Sequence, residues 1–168
     1  TLEITVDGYT INEVLENQYN IKIDKGSPIL LEGAPDLPRL NTSIIIPDQE
    51  NMSIKVIDSD YIELEDINII PSKGNLTRDI NPSSVPYKYS KHYQKDTFYP
   101  NNLASLGNPY IIRDIRGQSV IINPIQYNPI TKILRIYNRI VVDVYENENI
   151  FNKETKNSIQ RYNSEVKS

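Results

Sequence analysis

Cysteine is absent from the 168 residues, and histidine occurs once, at His92. Without a thiol there is no disulfide framework, no thiolate metal site and no Cys-His nucleophile. A Ser-His-Asp arrangement would have to run through His92, which no nucleophile elbow or oxyanion loop surrounds, so this imidazole reads as structural or solvated. The six glycines are scattered, which excludes a phosphate-cradling loop. No apolar run approaches the roughly 20 residues that a membrane-spanning helix requires. An excess of basic charge is also missing: 22 acidic against 18 basic side chains give −4, which argues against a nucleic-acid binder and for a protein partner. Asp58-Ser59-Asp60 offers carboxylates but not the spaced series of oxygen ligands that calcium needs, so it reads as a turn, and no metal or cofactor is expected. A chain so equipped carries out no catalysis of its own.

What the sequence does have is Ile, Val, Thr and 12 tyrosines, broken by 11 prolines. That mixture favours strands and leaves no room for a long helix. Leu2, Ile4 and Val6 alternate with polar neighbours, as do Tyr19, Ile21 and Ile23. Met52, Ile54 and Val56 repeat the pattern until Asp58 to Asp60 calls for a turn or bulge, after which Tyr61 to Ile70 resumes as a strand ending at Pro71. Tyr110 to Ile115 and Ser119 to Asn123 flank Arg116-Gly117, where glycine suits a tight hairpin turn. Asn128-Pro129 marks another turn. Ile133 to Tyr145 is the strongest strand, with Leu134, Ile136, Ile140, Val142 and Val144 on one face and Arg135, Arg139 and Asp143 on the other. The expected fold is all-β: an antiparallel sandwich of jelly-roll type spanning residues 1–145.

Two stretches escape the strand pattern. Residues 146–168 are polar without periodicity and read as a flexible tail or linker. The segment from Pro71 to Tyr99, rich in Pro, Asn, Ser, Lys and Tyr, reads as a long irregular surface loop too polar to be interior. It carries Lys73, Arg78, Lys88, Lys91 and Lys95, whereas the preceding stretch holds Asp48, Glu50, Asp58, Asp60, Glu63, Glu65 and Asp66. Charge alone leaves a solvated loop and a basic surface for an acidic partner both open. The chain opens directly on a strand without a basic and apolar leader, so the expectation is a processed piece of a longer precursor.

Particular strings say more. Gly33-Ala34-Pro35-Asp36-Leu37-Pro38, Pro71-Ser72-Lys73-Gly74 followed by Arg78 and Asn81-Pro82, Arg113 to Gln118 (RDIRGQ) and Gln126 to Tyr137 (QYNPITKILRIY) together resemble gingipain-type propeptides. The resemblance covers Gly33 to Val144. It implies a β-sandwich prodomain of a secreted, gingipain-like cysteine peptidase that lies elsewhere in the precursor. Such a prodomain assists folding and blocks the active-site cleft until proteolysis releases it.

In that family a loop presents a basic side chain to the primary specificity pocket in the manner of a substrate. The matching position is Arg78, on a loop made by Lys73, Gly74, Asn75, Leu76, Thr77 and Asp79. A guanidinium can fork onto a pocket carboxylate through two charge-assisted hydrogen bonds, each worth about 1.5–3 kcal/mol, which Lys73 cannot match. An arginine there implies an Arg-directed peptidase. Tyr87, Tyr89, Tyr93, Phe98 and Tyr99 would either flank the plug against the peptidase or cover the prodomain's own core. Arg161, in the tail, is the expected maturation site, ahead of Arg39, which lies in strand-like sequence. The rival reading is a non-catalytic β-sandwich binding or adhesion module that shares only ancestry.

Overall fold

A computed structural model describes residues 1–48 and 51–147. Ten strands follow in order: β1 (Leu2–Thr5), β2 (Tyr9–Leu15), β3 (Gln18–Ile23), β4 (Ser27–Pro28), β5 (Pro38–Ile45), β6 (Met52–Leu64), β7 (Ala104–Ile112), β8 (Ile115–Ile122), β9 (Ile125–Asn128) and β10 (Ile133–Glu146). Among the described residues the only helical pieces are two short 3-10 turns, Pro82–Ser84 and Lys91–Gln94. One antiparallel sheet is built on β10, with β6 along one side and β1 and β9 sharing the other. A second sheet runs β4-β5-β8-β7, and β2 and β3 form a separate hairpin.

The sheets face each other across two apolar clusters. Val120 and Ile122 of β8 meet Tyr137, Ile140 and Val142 of β10, with Leu2, Ile4, Ile44 and Leu106 around them. Ile21 and Ile23 of the β2–β3 hairpin join Leu37, Ile69, Ile125, Tyr127, Leu134 and Ile136 in the other. Burying each such side chain contributes about 1.5–3 kcal/mol, against about 0–1 kcal/mol for an exposed ion pair, so these clusters hold the fold. The expected antiparallel β architecture is therefore the observed one, and the alternation that marked β1, β3 and β10 points into these clusters.

Two expectations need correction, and a third is decided between its alternatives. The hairpin turn lies at Arg113-Asp114, not at Arg116-Gly117: Gly117 sits inside β8 beneath the Tyr110 ring, and a Cβ there would stand 2.7 Å from Tyr110 Cε2. Arg113 takes the positive φ instead, at 45°. Of the turn or bulge expected at Asp58 to Asp60, it is the bulge that forms: β6 runs through without turning, and register shifts at Asn138 of β10 and Ile57 of β6 flank the three residues. Arg139, from the paired strand, explains why these carboxylates tolerate a strand. Its Nη1 donates to Asp58 at 2.7 Å and lies 3.4 Å from Asp60, while Nε donates to Glu3 at 2.8 Å. The Arg139 hydrogen bond and charge hold the Asp58 carboxyl below its usual range. Finally, the strand resuming at Tyr61 stops at Leu64, shortly before Asp66 takes φ 55°, and Ile69 instead forms a parallel bridge with Tyr19 of β3, whose amide donates to Asn68 O and whose carbonyl accepts from the Ile70 amide. β10 reaches Glu146, one residue beyond the expected boundary, and the Asn147 amide donates to Asn51 O.

Candidate functional site

The segment from Pro71 to Tyr99 was expected to lie wholly on the surface, yet its ends are interior. Pro71 and Ser72 are buried and pair antiparallel with Ala34 and Pro35. The Ser72 amide donates to Ala34 O at 2.7 Å, and the Gly33 amide to Ser72 O at 2.9 Å. The returning limb closes on the same place, with the Ser90 amide and hydroxyl donating to Gly33 O at 3.0 and 2.9 Å. Backbone groups that would otherwise be buried unpaired are thus satisfied, which is why a polar segment can enter the core. Gly33 sits at the junction with φ 80°, and a Cβ on it would stand 2.8 Å from Ser90 Cβ. Gly74 has φ 77° and passes over Glu32, whose Cβ would lie 3.1 Å from an added Cβ. The two glycines quoted from the sequence are therefore required by adjacent parts of one junction.

Above this junction the chain is braced across its own base. Lys73 Nζ donates to Pro82 O at 2.7 Å and stands 4.3 Å from the centroid of the Tyr87 ring. Asn81 Oδ1 accepts from the Ser83 amide and hydroxyl at 3.1 and 2.7 Å, capping the 3-10 turn that Pro82 begins. Between these supports lies a turn in which the Ile80 amide donates to Thr77 O at 3.1 Å, with Arg78 and Asp79 at its corners. The Thr77 hydroxyl, followed by its own backbone N–H, holds the Asp79 carboxyl below the usual range. Arg78 is exposed and makes no ion pair with another described residue. Its neighbours Asn75 and Thr77 are exposed too, and Leu76 is half-buried.

The aromatic residues differ in their surroundings within the chain. Tyr93 and Tyr99 pack on the core; the Tyr93 hydroxyl donates to Ile69 O at 2.8 Å, and burial pushes that phenol's pKa up. Tyr99 exchanges both backbone hydrogen bonds with Tyr127. Phe98 lies beneath Arg135, whose guanidinium is 3.9 Å from the ring centroid. Tyr87 braces Lys73, and exposed Tyr89 bonds Gln18 Oε1 at 3.1 Å. His92 is structural in its contacts: Nδ1 lies 2.9 Å from Ser90 Oγ, and the ring packs on Tyr99 at 5.1 Å. Because the Ser90 hydroxyl already donates to Gly33 O, the His92 Nδ1 must carry the hydrogen between them.

The structure thus brings Arg78, Thr77 and Asp79 together at a tip, and Lys73 and Gly74 at its base. Lys73 is engaged within the loop and is not presented. Arg39 lies half-buried in β5, and Arg161 falls outside the described residues. Ser90 and Glu32 were not singled out from sequence; Ser90 as the residue capping Lys91–Gln94 was the available signal. Glu32 also forms a long ion pair with Lys88, at 3.5 Å.

The Propeptide_C25 family matches residues 5–168. The chain is 45% identical over 122 residues to gingipain R2 of Porphyromonas gingivalis, covering 73% of this chain and 17% of that protein. Against gingipain R1 of the same organism the identity is 44% over 126 residues, with 73% and 13% covered. The chain therefore spans less than a fifth of the length of these relatives. Among solved structures, the complex of P. gingivalis RgpB pro- and mature domains matches with a TM-score of 0.84 and 38% identity over 88% of this chain and 79% of that one. A structure concerning zymogenic latency of gingipain K from the same organism shares the fold, with a TM-score of 0.66, 17% identity, and 88% and 99% covered. Matched from its first strand onward, the chain belongs to the Propeptide_C25 family: it is a gingipain-type propeptide, a segment without catalytic function of its own.

Proposed function

We propose that this propeptide keeps a secreted, gingipain-like, Arg-specific cysteine peptidase latent by placing Arg78 in its primary specificity pocket, and that it assists the folding of that peptidase domain. The observation that carries the reading is the presentation of Arg78: an exposed guanidinium, without an ion pair among the described residues, at the corner of a turn on a loop anchored at both ends in the core. A cleft selective for arginine needs such a side chain held away from competing carboxylates. Asp79, the nearest one in sequence, is occupied by Thr77 and by its own backbone N–H. Pre-ordering of the loop lowers the entropy lost on docking. The fold shared with the pro- and mature-domain complex supports a peptidase domain as partner, and export of the precursor is what the family resemblance implies. Arg161 is carried in the proposal as the bond released on maturation, since an Arg-specific peptidase would cleave after it.

The test is inhibition by the purified chain. Wild type is expected to inhibit an Arg-specific gingipain at micromolar concentration or below, and Arg78→Ala to weaken this at least tenfold, about 1.4 kcal/mol. Equal inhibition by both proteins would remove Arg78 from the mechanism. Cleavage at Arg161 is read by sequencing the first residues of the peptidase released from the full precursor.

A further inference from the structure

We propose that Lys73 is the positioning residue that makes the Arg78 loop an inhibitor instead of a substrate. The inference rests on the reading of Arg78 as the group entering the pocket. Lys73 and Pro82 are nine residues apart, and the hydrogen bond from Lys73 Nζ to Pro82 O closes the loop at its neck. The Tyr87 ring backs the same ammonium at 4.3 Å, and Lys73 is only half-exposed, so water competes poorly for the contact. Gly74 on Glu32 fixes the outgoing limb, and Asn81 with Ser83 fixes the returning one. Lys73 is the only side chain among the described residues that is shown to bond one limb directly to the other.

Consider what a cysteine peptidase does to this loop. Its thiolate sulfur bonds to the Arg78 carbonyl carbon, the Arg78–Asp79 C–N bond breaks, and the imidazolium of the Cys-His pair gives its proton to the departing Asp79 nitrogen. Hydrolysis is completed only when water replaces that amine, placing hydroxide on the Arg78 carbonyl and returning the sulfur to thiolate and the proton to imidazole. While Lys73 holds Pro82, the new Asp79 amine stays beside the thioester. It attacks back, re-forming the peptide bond at the high effective concentration of a tethered group. With the clasp open the amine leaves, water enters and the loop is consumed. The motif position that looks in sequence like a second basic bait is therefore the latch for the first.

The experiment compares Lys73→Met and Lys73→Arg with wild type in two arms. In the first, trypsin at limiting concentration cuts the folded chain, and mass spectrometry follows fragments ending at Arg78 and at Arg113. Lys73→Met is expected to raise Arg78 cleavage relative to Arg113 cleavage about tenfold, and Lys73→Arg, which keeps a donor, to restore the wild-type ratio. In the second arm, purified gingipain R2 is incubated with each protein. Lys73→Met is expected to inhibit at first within about threefold of wild type and then to lose inhibition as the Arg78–Asp79 bond is cut. An unchanged ratio, equal acceleration at both arginines, failure of Lys73→Arg to rescue, or durable inhibition by Lys73→Met would overturn the proposal. No inhibition by wild type would overturn the peptidase reading instead, and the trypsin ratio reports on the clasp without it.

Discussion

The tripeptide Arg-Asp-Ile occurs twice, at Arg78 to Ile80 and at Arg113 to Ile115, and each copy turns the chain with its arginine exposed. The second copy closes the β7–β8 hairpin. Ile112 and Ile115 are paired across it, so the backbone on both sides of Arg113 is committed to the ladder. The first stands on two limbs that are not strands, held by Lys73, Gly74, Asn81 and Ser90 near its base. A peptidase cleft must make its own backbone contacts with residues flanking the arginine. Only the first copy leaves those flanks outside a strand ladder, the Ile80 amide bonding Thr77 O within the turn itself. Composition is identical in the two turns, and what separates them is where each backbone's hydrogen bonds go.

That contrast can be broken in several ways. The largest effect is expected from the arginines themselves: Arg78→Ala should lose at least tenfold in inhibition of an Arg-specific gingipain, whereas Arg113→Ala should stay within about twofold. Comparable losses from both would abolish the distinction. Next comes Gly33→Ala, which places a Cβ 2.8 Å from Ser90 Cβ at φ 80° and should cost about 1–3 kcal/mol, seen as a lower thermal midpoint. Because Gly33 bonds Ser72 and Ser90 at the two limbs of the Arg78 loop, and the β7–β8 hairpin is held by its own ladder, the same variant should raise trypsin cleavage at Arg78 more than at Arg113.

The smallest effect is titration of Asp79. Its folded pKa is lowered below the unfolded value of about 3.9, so its support of the turn is complete above that pH and is lost as pH falls through the lowered value. Acidification should therefore shift the Thr77–Ile80 amide resonances with one proton, and Asp79→Asn should abolish the transition.

Much of the architecture was legible because alternation needs only neighbours in sequence. Leu2 and Ile4, Ile21 and Ile23, and Ile136, Ile140 and Val142 all announced buried faces that the structure shows buried or packed on the core. What failed, or stood between alternatives, depended on distant partners. At Asp58 to Asp60 the choice between turn and bulge went to the bulge because their neutralising group, Arg139, lies some eighty positions away on a paired strand. Gly117 looked like a turn because the Tyr110 ring that occupies its missing side chain's place was not visible locally. At the candidate site, the family-matched strings named Arg78 and the glycines beside it. The burial of Pro71 and Ser72 against Gly33 and Ala34 could not be read from their polarity, nor could the use of the Lys73 ammonium.

The pairing of β1 with β10, Leu2 opposite Val142 and Thr5 opposite Arg139, has a bearing on the order of events during synthesis. A ribosome delivers Leu2 to Thr5 early and must make almost the whole described chain before their partner emerges. Until then Leu2 and Ile4 have no sheet to complete, and the same delay holds Met52 to Leu64 waiting for β10. Such sequence-distant closure makes for slow folding, since long loops must be closed before the contacts that reward them form. Among the described residues, the strand made last is thus the one that locks the first.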